Sequence, residues 1–150
     1  MNDYYSIQKN SLVHYAYNVF SQRGDDGIIE EIFNRLNISK GKAVEFGAGD
    51  GVYLSNTRAL FLKGWSVIMI EPDDYLFEKM NNTYFDSNNI TLFNGFIVPD
   101  SSLSIRNKEF RIKDIIKDDI DFMSIDVDFN DVDILEALEI SPKVISVESG

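Results

Sequence analysis

Five short apolar runs recur along the chain, and their spacing is the strongest constraint on its fold. Most of them are rich in β-favouring residues and too apolar for a strand that has one face in water. The runs are AVEF (43–46), SVIMI (66–70), ITLF (90–93), DFMSI (121–125) and KVISV (143–147). Runs of this kind are typical of parallel strands that are buried on both faces.

Segments with helical periodicity separate these runs. Before the first run, an apolar stripe predicts a helix with Asp25 or Asp26 as its N-cap. The stripe consists of Ile28, Ile29, Ile32, Phe33 and Leu36. Further helices are predicted over 54–63, closed by Gly64 as the C′ residue, over 73–84, and over 131–138, where Val132, Leu135 and Leu138 are spaced three apart. The alternation predicts an α/β fold with a doubly wound, mostly parallel sheet, in which ligands bind beyond the carboxyl ends of the strands.

Composition limits the class of protein. The 150 residues have room for one domain, with a helical lead-in over about 1–40 and the sheet core over 41–150. The absence of cysteine excludes a disulfide scaffold, a thiolate zinc site and a cysteine nucleophile. A polar amino terminus and the lack of a long apolar run favour a cytoplasmic protein with no membrane partner. A net charge of −11 makes nucleic acid an unfavourable partner.

Three glycines at alternate positions follow the first run, in VEFGAGDGVYLSN (44–56). Gly47, Gly49 and Gly51 lie between the strand ending near Phe46 and a helix expected to begin near Tyr53. Bare backbone at such a place opens a turn and lets a ligand contact N–H groups at a helix N-terminus. A tight turn alone would need fewer glycines, so the pattern favours a ligand site.

The glycine spacing narrows the class of ligand. Dinucleotide-binding folds use G-x-G-x-x-G, whereas this segment reads E-x-G-x-G-x-G from Glu45 to Gly51. The Asp50 carboxylate within the turn would repel a pyrophosphate but would tolerate a zwitterionic or cationic ligand. S-adenosylmethionine carries an ammonium and a sulfonium, and therefore suits this turn better than NAD does.

Residues after the second and third runs complete the predicted ligand site. Glu71 ends the second run, where a carboxylate could accept hydrogen bonds from both ribose hydroxyls of an adenosine. Pro72 could place a flat apolar wall against the adenine, and Gly95 and Phe96 could close its other side. Asn56, which follows the glycine turn, could reach the methionine end of the ligand.

Several stretches together resemble the FkbM-type class I S-adenosylmethionine-dependent methyltransferases. They are SQRGDDGIIEEIFNRL (21–36), VEFGAGDGVYLSNTRAL (44–60), GWSVIMIEPD (64–73), FMSIDVDFND (122–131) and PKVISVES (142–149). The resemblance implies the methyltransferase version of the Rossmann sheet, here without its last two strands, and methylation of a hydroxyl on a small molecule or glycan. By position it assigns Glu45, Gly47, Gly49 and Gly51 to the cofactor loop, Glu71 to the ribose, and Asp126 to the acidic residue after the fourth strand. Gln22 and Asp25 could line the cofactor entrance.

The residues after the fourth run carry the predicted catalysis. Asp126 and Asp128 point to one side if the strand continues through them, and a carboxylate there could take the proton of the acceptor hydroxyl. Together with Asn130 they could also hold Mg²⁺ or another divalent cation, which would lower the pKa of that hydroxyl. The alternative is structural, because Asp131 before Val132 is well placed to cap the next helix.

Two other functions remain open from the sequence. One is a non-catalytic or truncated module that binds S-adenosylmethionine, and the other is an NAD-type oxidoreductase. Since the resembled family has two more strands after the fifth, the run at 143–147 would be left at an edge with unpaired backbone groups. We therefore expect either a longer natural chain or self-association into a homo-oligomer.

Overall fold

The computed structural model describes residues 10–127 and 131–148 of the chain. Its strands are β1 Lys42–Phe46, β2 Ser66–Glu71, β3 Ile90–Asn94, β4 Phe96–Val98, β5 Glu109–Arg111, β6 Phe122–Ile125 and β7 Val144–Val147. Its helices are α1 Asp25–Arg35, α2 Arg58–Leu62, α3 Asp74–Tyr84, α4 Ile112–Ile115 and α5 Asp131–Glu136, preceded by a 3-10 turn at Leu12–Tyr15. Five strands form one sheet in the order β3-β2-β1-β6-β7, and β4 pairs with β5 separately. Each of these pairs is parallel.

The strand order defines a doubly wound α/β fold of the Rossmann type. The chain runs outward from β1 through β2 to β3 and then returns to place β6 on the other side of β1. The winding therefore reverses between β1 and β6, whose carboxyl ends meet where Phe46 pairs with Ile125. Ligands in open sheets bind beyond the strand ends at such a reversal. The predicted fold class and the five predicted strands are confirmed.

The helix after the glycine turn begins later than predicted. The sequence predicts a start near Tyr53, but α2 begins at Arg58, and Leu54 has a left-handed backbone with φ 62°. Hydrogen bonds from the intervening turn to the buried carboxylate of Glu45 hold that segment out of the helix. Gly64, with φ 86°, follows the helix end as predicted for a C′ residue.

The N-cap predicted for α1 is wrong. Gly24, with φ 91°, occupies that position, and Asp25 and Asp26 both lie in the first turn of the helix. The side chain of Asp26 binds the preceding segment instead, because its Oδ2 accepts hydrogen bonds from the amides of residues 19–21 at 2.8–2.9 Å. The carboxylate thus ties the lead-in segment to α1.

The apolar faces of two helices also differ from expectation. In α1, Ile29 and Phe33 are buried as the stripe predicts, whereas Leu36 lies at the helix end and is 47% exposed. In α5 the buried residue is Ile134, and Val132 is 63% exposed. A helix of six residues makes fewer than two turns, so a single apolar side chain is enough to dock it.

The segment between β3 and β6, which the sequence left without a clear assignment, contains β4, β5 and α4. Strands of three residues and a helix of four are too short for periodicity to reveal. Their apolar residues Ile97 and Ile112 nevertheless pack against the sheet. Within the described ranges, no helix has the length and apolar character needed to cross a bilayer.

Apolar side chains pack on both faces of the main sheet. Helices α1 to α3 cover one face, where the ring of Phe33 meets Trp65 and Phe122 edge-on at centroid distances of 4.7 and 6.2 Å. The residues of α4 and α5 pack on the other face. Because side chains alternate along a strand, Glu45 of β1 projects to the same side as Ala43, towards α1 to α3.

Candidate functional site

The three glycines of the turn after β1 have different surroundings. All have positive φ, at 74°, 59° and 74° for Gly47, Gly49 and Gly51. A Cβ on Gly47 would lie 1.6 Å from the backbone oxygen of Asp126, and one on Gly51 would lie 2.8 Å from side-chain atoms of α3. A Cβ on Gly49 would meet nothing within 4 Å. Two of the glycines therefore allow close packing, and Gly49 alone leaves open space for a ligand.

The buried carboxylate of Glu45 holds the segment that follows the turn. Its Oε2 accepts hydrogen bonds from the hydroxyls of Ser55 and Thr57 at 2.7 and 2.6 Å, and its Oε1 accepts one from the amide of Asn56 at 2.6 Å. The side chain is 3% exposed, and burial raises its pKa although these donors oppose the rise. The assignment of Glu45 to the cofactor stays a prediction, while its contacts show that it shapes the turn.

Glu71 joins the end of β2 to the glycine turn. Its Oε2 accepts a hydrogen bond from the amide of Gly49 at 2.7 Å, and its Oε1 accepts one from the amide of Asp73 at 2.8 Å. Burial raises the pKa of this carboxyl group, and the two amides oppose the rise. The acid predicted to bind a ribose thus lies directly beside the one glycine that leaves open space.

A cavity of about 480 Å³ lies at the carboxyl edge of the sheet, around Gly49 and Glu71. Most of the predicted cofactor residues line it, namely Gly47, Gly49, Glu71, Pro72, Gly95, Phe96 and Asp126. The structure adds four apolar residues that the sequence analysis missed, Ile70, Leu76, Ile97 and Val127. Of these, Leu76 could have been found, because it lies in the first turn of a helix that starts directly after the acid at the end of β2.

The chemistry of the lining limits what the cavity can hold. Its charged side chains, Glu71 and Asp126, are both acidic, and none of the described lining residues is basic. Pro72, Leu76 and the 56% exposed ring of Phe96 supply apolar surface. Such a cavity suits a ligand with a flat ring, hydroxyl groups and positive charge, and it disfavours a pyrophosphate.

A second cavity of about 170 Å³ adjoins the first at the carboxyl ends of β6 and β7. Its lining consists of Gln22, Arg23, Asp25, Asn56, Ile125, Asp126, Ser146, Val147 and Glu148. Asp126 lines both cavities. Asn56 donates to the hydroxyl of Ser124 at 2.9 Å, and its Oδ1 is buried without a hydrogen-bond partner in the part of the chain described. The structure therefore brings Gln22, Asp25 and Asn56 together beside Asp126.

Only some of the predicted catalytic and metal-binding residues lie among the described residues. Asp126 is described, whereas Asp128 and Asn130 lie outside the described residues. Across residues 10–127 and 131–148, no group of three or more acidic or histidine side chains is arranged to hold a metal ion. Asp131 Oδ1 accepts a hydrogen bond from the amide of Val127 at 2.9 Å, which ties the start of α5 to the end of β6.

Comparison with known proteins finds structures of similar fold. No family model matches the sequence. No curated protein matches it. A conserved hypothetical protein from Streptococcus pyogenes is 14% identical, with a TM-score of 0.49 over 78% of this chain and 71% of that one. A TehB-like SAM-dependent methyltransferase from Corynebacterium glutamicum is also 14% identical, with a TM-score of 0.42 over 81% and 52% of the two chains.

A dimethyladenosine transferase from Plasmodium falciparum is 17% identical, with a TM-score of 0.45 over 79% of this chain and 37% of that one. Two further solved structures are covered over 48% and 51% of their own length, so the chain spans about half of them. At sequence identities this low, the similarity concerns the fold alone. What the site binds has to be argued from its own residues.

Alanine substitutions at Gly47 and Gly49 distinguish the glycine that allows close packing from the glycine that leaves space for a ligand. Gly47 and Gly49 both have positive φ, so Gly49→Ala is expected to cost about 1–2 kcal/mol of unfolding free energy through backbone strain. Gly47→Ala should cost clearly more, because its Cβ would overlap the Asp126 carbonyl oxygen where β1 approaches β6. Urea denaturation measures both losses. Equal losses would contradict the close approach at Gly47.

The raised pKa of Glu45 predicts a dependence of stability on pH. A carboxyl group with a raised folded pKa stabilises the fold below its ordinary pKa of 4.5, and this contribution is lost as pH rises through the folded value. The Glu45→Gln variant has no titratable side chain at this position. The unfolding free energy of the wild type, taken relative to this variant, should therefore fall as pH rises above about 4.5.

Urea denaturation at a series of pH values measures this difference, and Glu78→Gln on the exposed face of α3 is the control. A wild type that instead gained stability relative to Glu45→Gln with rising pH would show that the three hydrogen bonds outweigh burial.

Proposed function

We propose that this chain binds S-adenosylmethionine and is a methyltransferase. The observation that carries the proposal is the cavity of about 480 Å³ in which the open space at Gly49 meets the carboxylate of Glu71. Its size lies in the range of cofactor sites, and its apolar walls stand beside acidic groups rather than basic ones. These features support a ligand with an adenosine ring system and a cationic end over a dinucleotide.

The residues present fit such a cofactor. Glu71 has an accepting oxygen on each side of its carboxylate for the ribose hydroxyls, and Pro72 and Phe96 offer apolar surface to the adenine. The Oδ1 of Asn56, which is buried without a hydrogen-bond partner among the described residues, suits the ammonium of the methionine end.

A methyl transfer from S-adenosylmethionine requires only a few chemical contributions from the protein. Bound S-adenosylmethionine supplies a methyl group on a sulfonium, which is a good leaving group. The chain must align the acceptor oxygen and remove its proton. Asp126 lines both cavities, so we assign it as the base that takes the proton of the acceptor oxygen. The acceptor would lie in the second cavity, beside Gln22 and Asp25. Asp128 is the other candidate base from the sequence.

We further propose that the acceptor is a hydroxyl group of a small molecule or glycan and that the chain is an FkbM-type enzyme of the cytoplasm. The motifs in the sequence support the family, and a second cavity of about 170 Å³ with a polar lining suits a small hydroxylated group. The net charge of −11 opposes a nucleic-acid acceptor. A homo-oligomer paired through the β7 edge is part of the same proposal.

Ligand binding tests the cofactor assignment. S-adenosylhomocysteine at about 100 times its Kd should stabilise the fold by about 2.7 kcal/mol and raise its Tm, whereas NAD should not. Glu71→Ala should weaken S-adenosylhomocysteine binding by about 1–3 kcal/mol, because the ribose loses its acceptor.

Thermal shift and calorimetry measure these effects, with Glu78→Ala, an exposed acid on α3, as the matched control. Stabilisation by NAD equal to that by S-adenosylhomocysteine would remove the assignment and favour the oxidoreductase. An unchanged affinity in Glu71→Ala would show that this carboxylate does not hold the ribose.

Chelation separates a carboxylate base from a metal site. With Asp126 as base, Asp126→Asn should lower turnover about 100-fold or more, and EDTA should leave wild-type turnover intact. The measurement is S-adenosylhomocysteine formation across a panel of glycan and small hydroxylated acceptors. Loss of turnover in EDTA, with S-adenosylhomocysteine binding retained, would instead support a divalent cation held by Asp126, Asp128 and Asn130.

A further inference from the structure

Arg58, the first residue of α2, has its guanidinium among three aromatic rings. The ring centroids of Phe20, Phe61 and Tyr84 lie 5.7, 5.4 and 5.0 Å from its Cζ. Its Nε is buried without a hydrogen-bond partner among the described residues. Cation–π attraction of this kind strengthens when the charge is removed from water. The three rings come from the lead-in segment, α2 and α3, so one side chain connects three parts of the chain.

One of these rings reaches the glycine turn directly. The hydroxyl of Tyr84 donates a hydrogen bond to the carbonyl oxygen of Gly51 at 2.5 Å. A Cβ on Gly51 would lie 2.8 Å from the Tyr84 ring, so the ring also packs against the turn. Burial raises the pKa of the Tyr84 phenol, and the Arg58 guanidinium beside it opposes the rise. The position of the Tyr84 ring therefore sets the position of Gly51.

A second ring, that of Phe20, belongs to a segment that continues into the lining of the smaller cavity. The amide of Phe20 donates to Asp26 Oδ2 at 2.8 Å, and Ser21 Oγ accepts from the amide of Asp26 at 2.8 Å. This fixed segment continues directly into Gln22 and Arg23, which line the second cavity. The position of the Phe20 ring is therefore linked to one wall of that cavity.

We propose that Arg58 is a positioning residue that fixes the position of the glycine turn relative to the 19–23 segment. The inference rests on the proposed function, since the turn is the proposed cofactor loop. Arg58 acts through Tyr84 and Phe20 rather than by touching the ligand. The alternative is that Arg58 only fills space between α2 and α3, in which case its loss would lower stability without a local effect on the turn.

The test uses three single variants of the full chain, one double variant that combines Arg58→Met with Tyr84→Phe, and one control. Arg58→Met keeps a long side chain but removes the charge, and Arg58→Lys keeps the charge but removes the planar group. Tyr84→Phe keeps the ring and removes the hydroxyl that donates to Gly51. The matched control is Arg35→Met, since Arg35 also lies over an aromatic ring, Tyr15 at 5.4 Å, but on α1. Hydrogen–deuterium exchange of residues 47–52 and the Kd of S-adenosylhomocysteine are measured well below the Tm of every variant.

Arg58→Met should speed exchange at 47–52 and weaken S-adenosylhomocysteine binding, each by about tenfold. Arg58→Lys should recover part of the protection from exchange and part of the affinity. Arg58→Met combined with Tyr84→Phe should be within about twofold of Arg58→Met alone, because Tyr84→Phe removes a contact that Arg58→Met has already disturbed. The control should change neither quantity.

Exchange at 47–52 that stays at the wild-type rate in Arg58→Met, or that rises equally in Arg35→Met, would overturn the proposal. Should Arg58→Met not fold, Arg58→Lys and Tyr84→Phe decide the question by the same two measurements. Because exchange needs no ligand, a wild type that fails to bind S-adenosylhomocysteine would refute the proposed function while the exchange data still decide the role of Arg58.

Discussion

The carboxylate of Glu45 is the contact on which the arrangement of the site depends. It lies inside the fold on β1 and collects hydrogen bonds from Ser55, Asn56 and Thr57. An ionised group in such a place costs free energy unless donors surround it, and here the donors are supplied by the segment that must turn before α2 can begin. The same contact delays the helix and places Asn56 in the wall of the second cavity.

Sheet topology explains why this segment lies where a ligand can reach it. The winding reverses between β1 and β6, so the chain continues from these two parallel strands towards opposite edges of the sheet, and a crevice opens beyond their carboxyl ends. The backbone oxygen of Asp126, just past β6, lies so close to Gly47 that no side chain fits between them. Close packing of the two strand ends brings Asp126 to the junction of the two cavities.

The strands were predictable because they appear in the sequence as short, largely apolar runs, and three of them, β1, β2 and β6, are mostly buried on both faces. The positions of Glu71, Pro72 and Phe96 followed from the same reasoning, since residues at strand ends meet at one edge of a parallel sheet. The start of α2 was not predictable locally. Its cause is a carboxylate that lies more than ten residues earlier in the chain.

Other errors come from contacts that only the fold decides, or from elements too short to show a period. Asp26 has the residue type of an N-cap, but its carboxylate accepts from amides that precede the helix, and only the fold decides between those two uses. Ile97 was missed because a strand of three residues leaves no periodic signal. Ile134 was missed because a short helix docks through one residue, and spacing does not say which.

The two hydrogen bonds made by Glu71 bear on the entropy of ligand binding. An ionised carboxylate has about four lone-pair directions, and the amides of Gly49 and Asp73 occupy one on each oxygen. One direction on each oxygen is left for an incoming pair of hydroxyls. Because the side chain is already fixed by the backbone on both sides, a ligand would not have to freeze its rotamers, and more of each new hydrogen bond would appear as affinity.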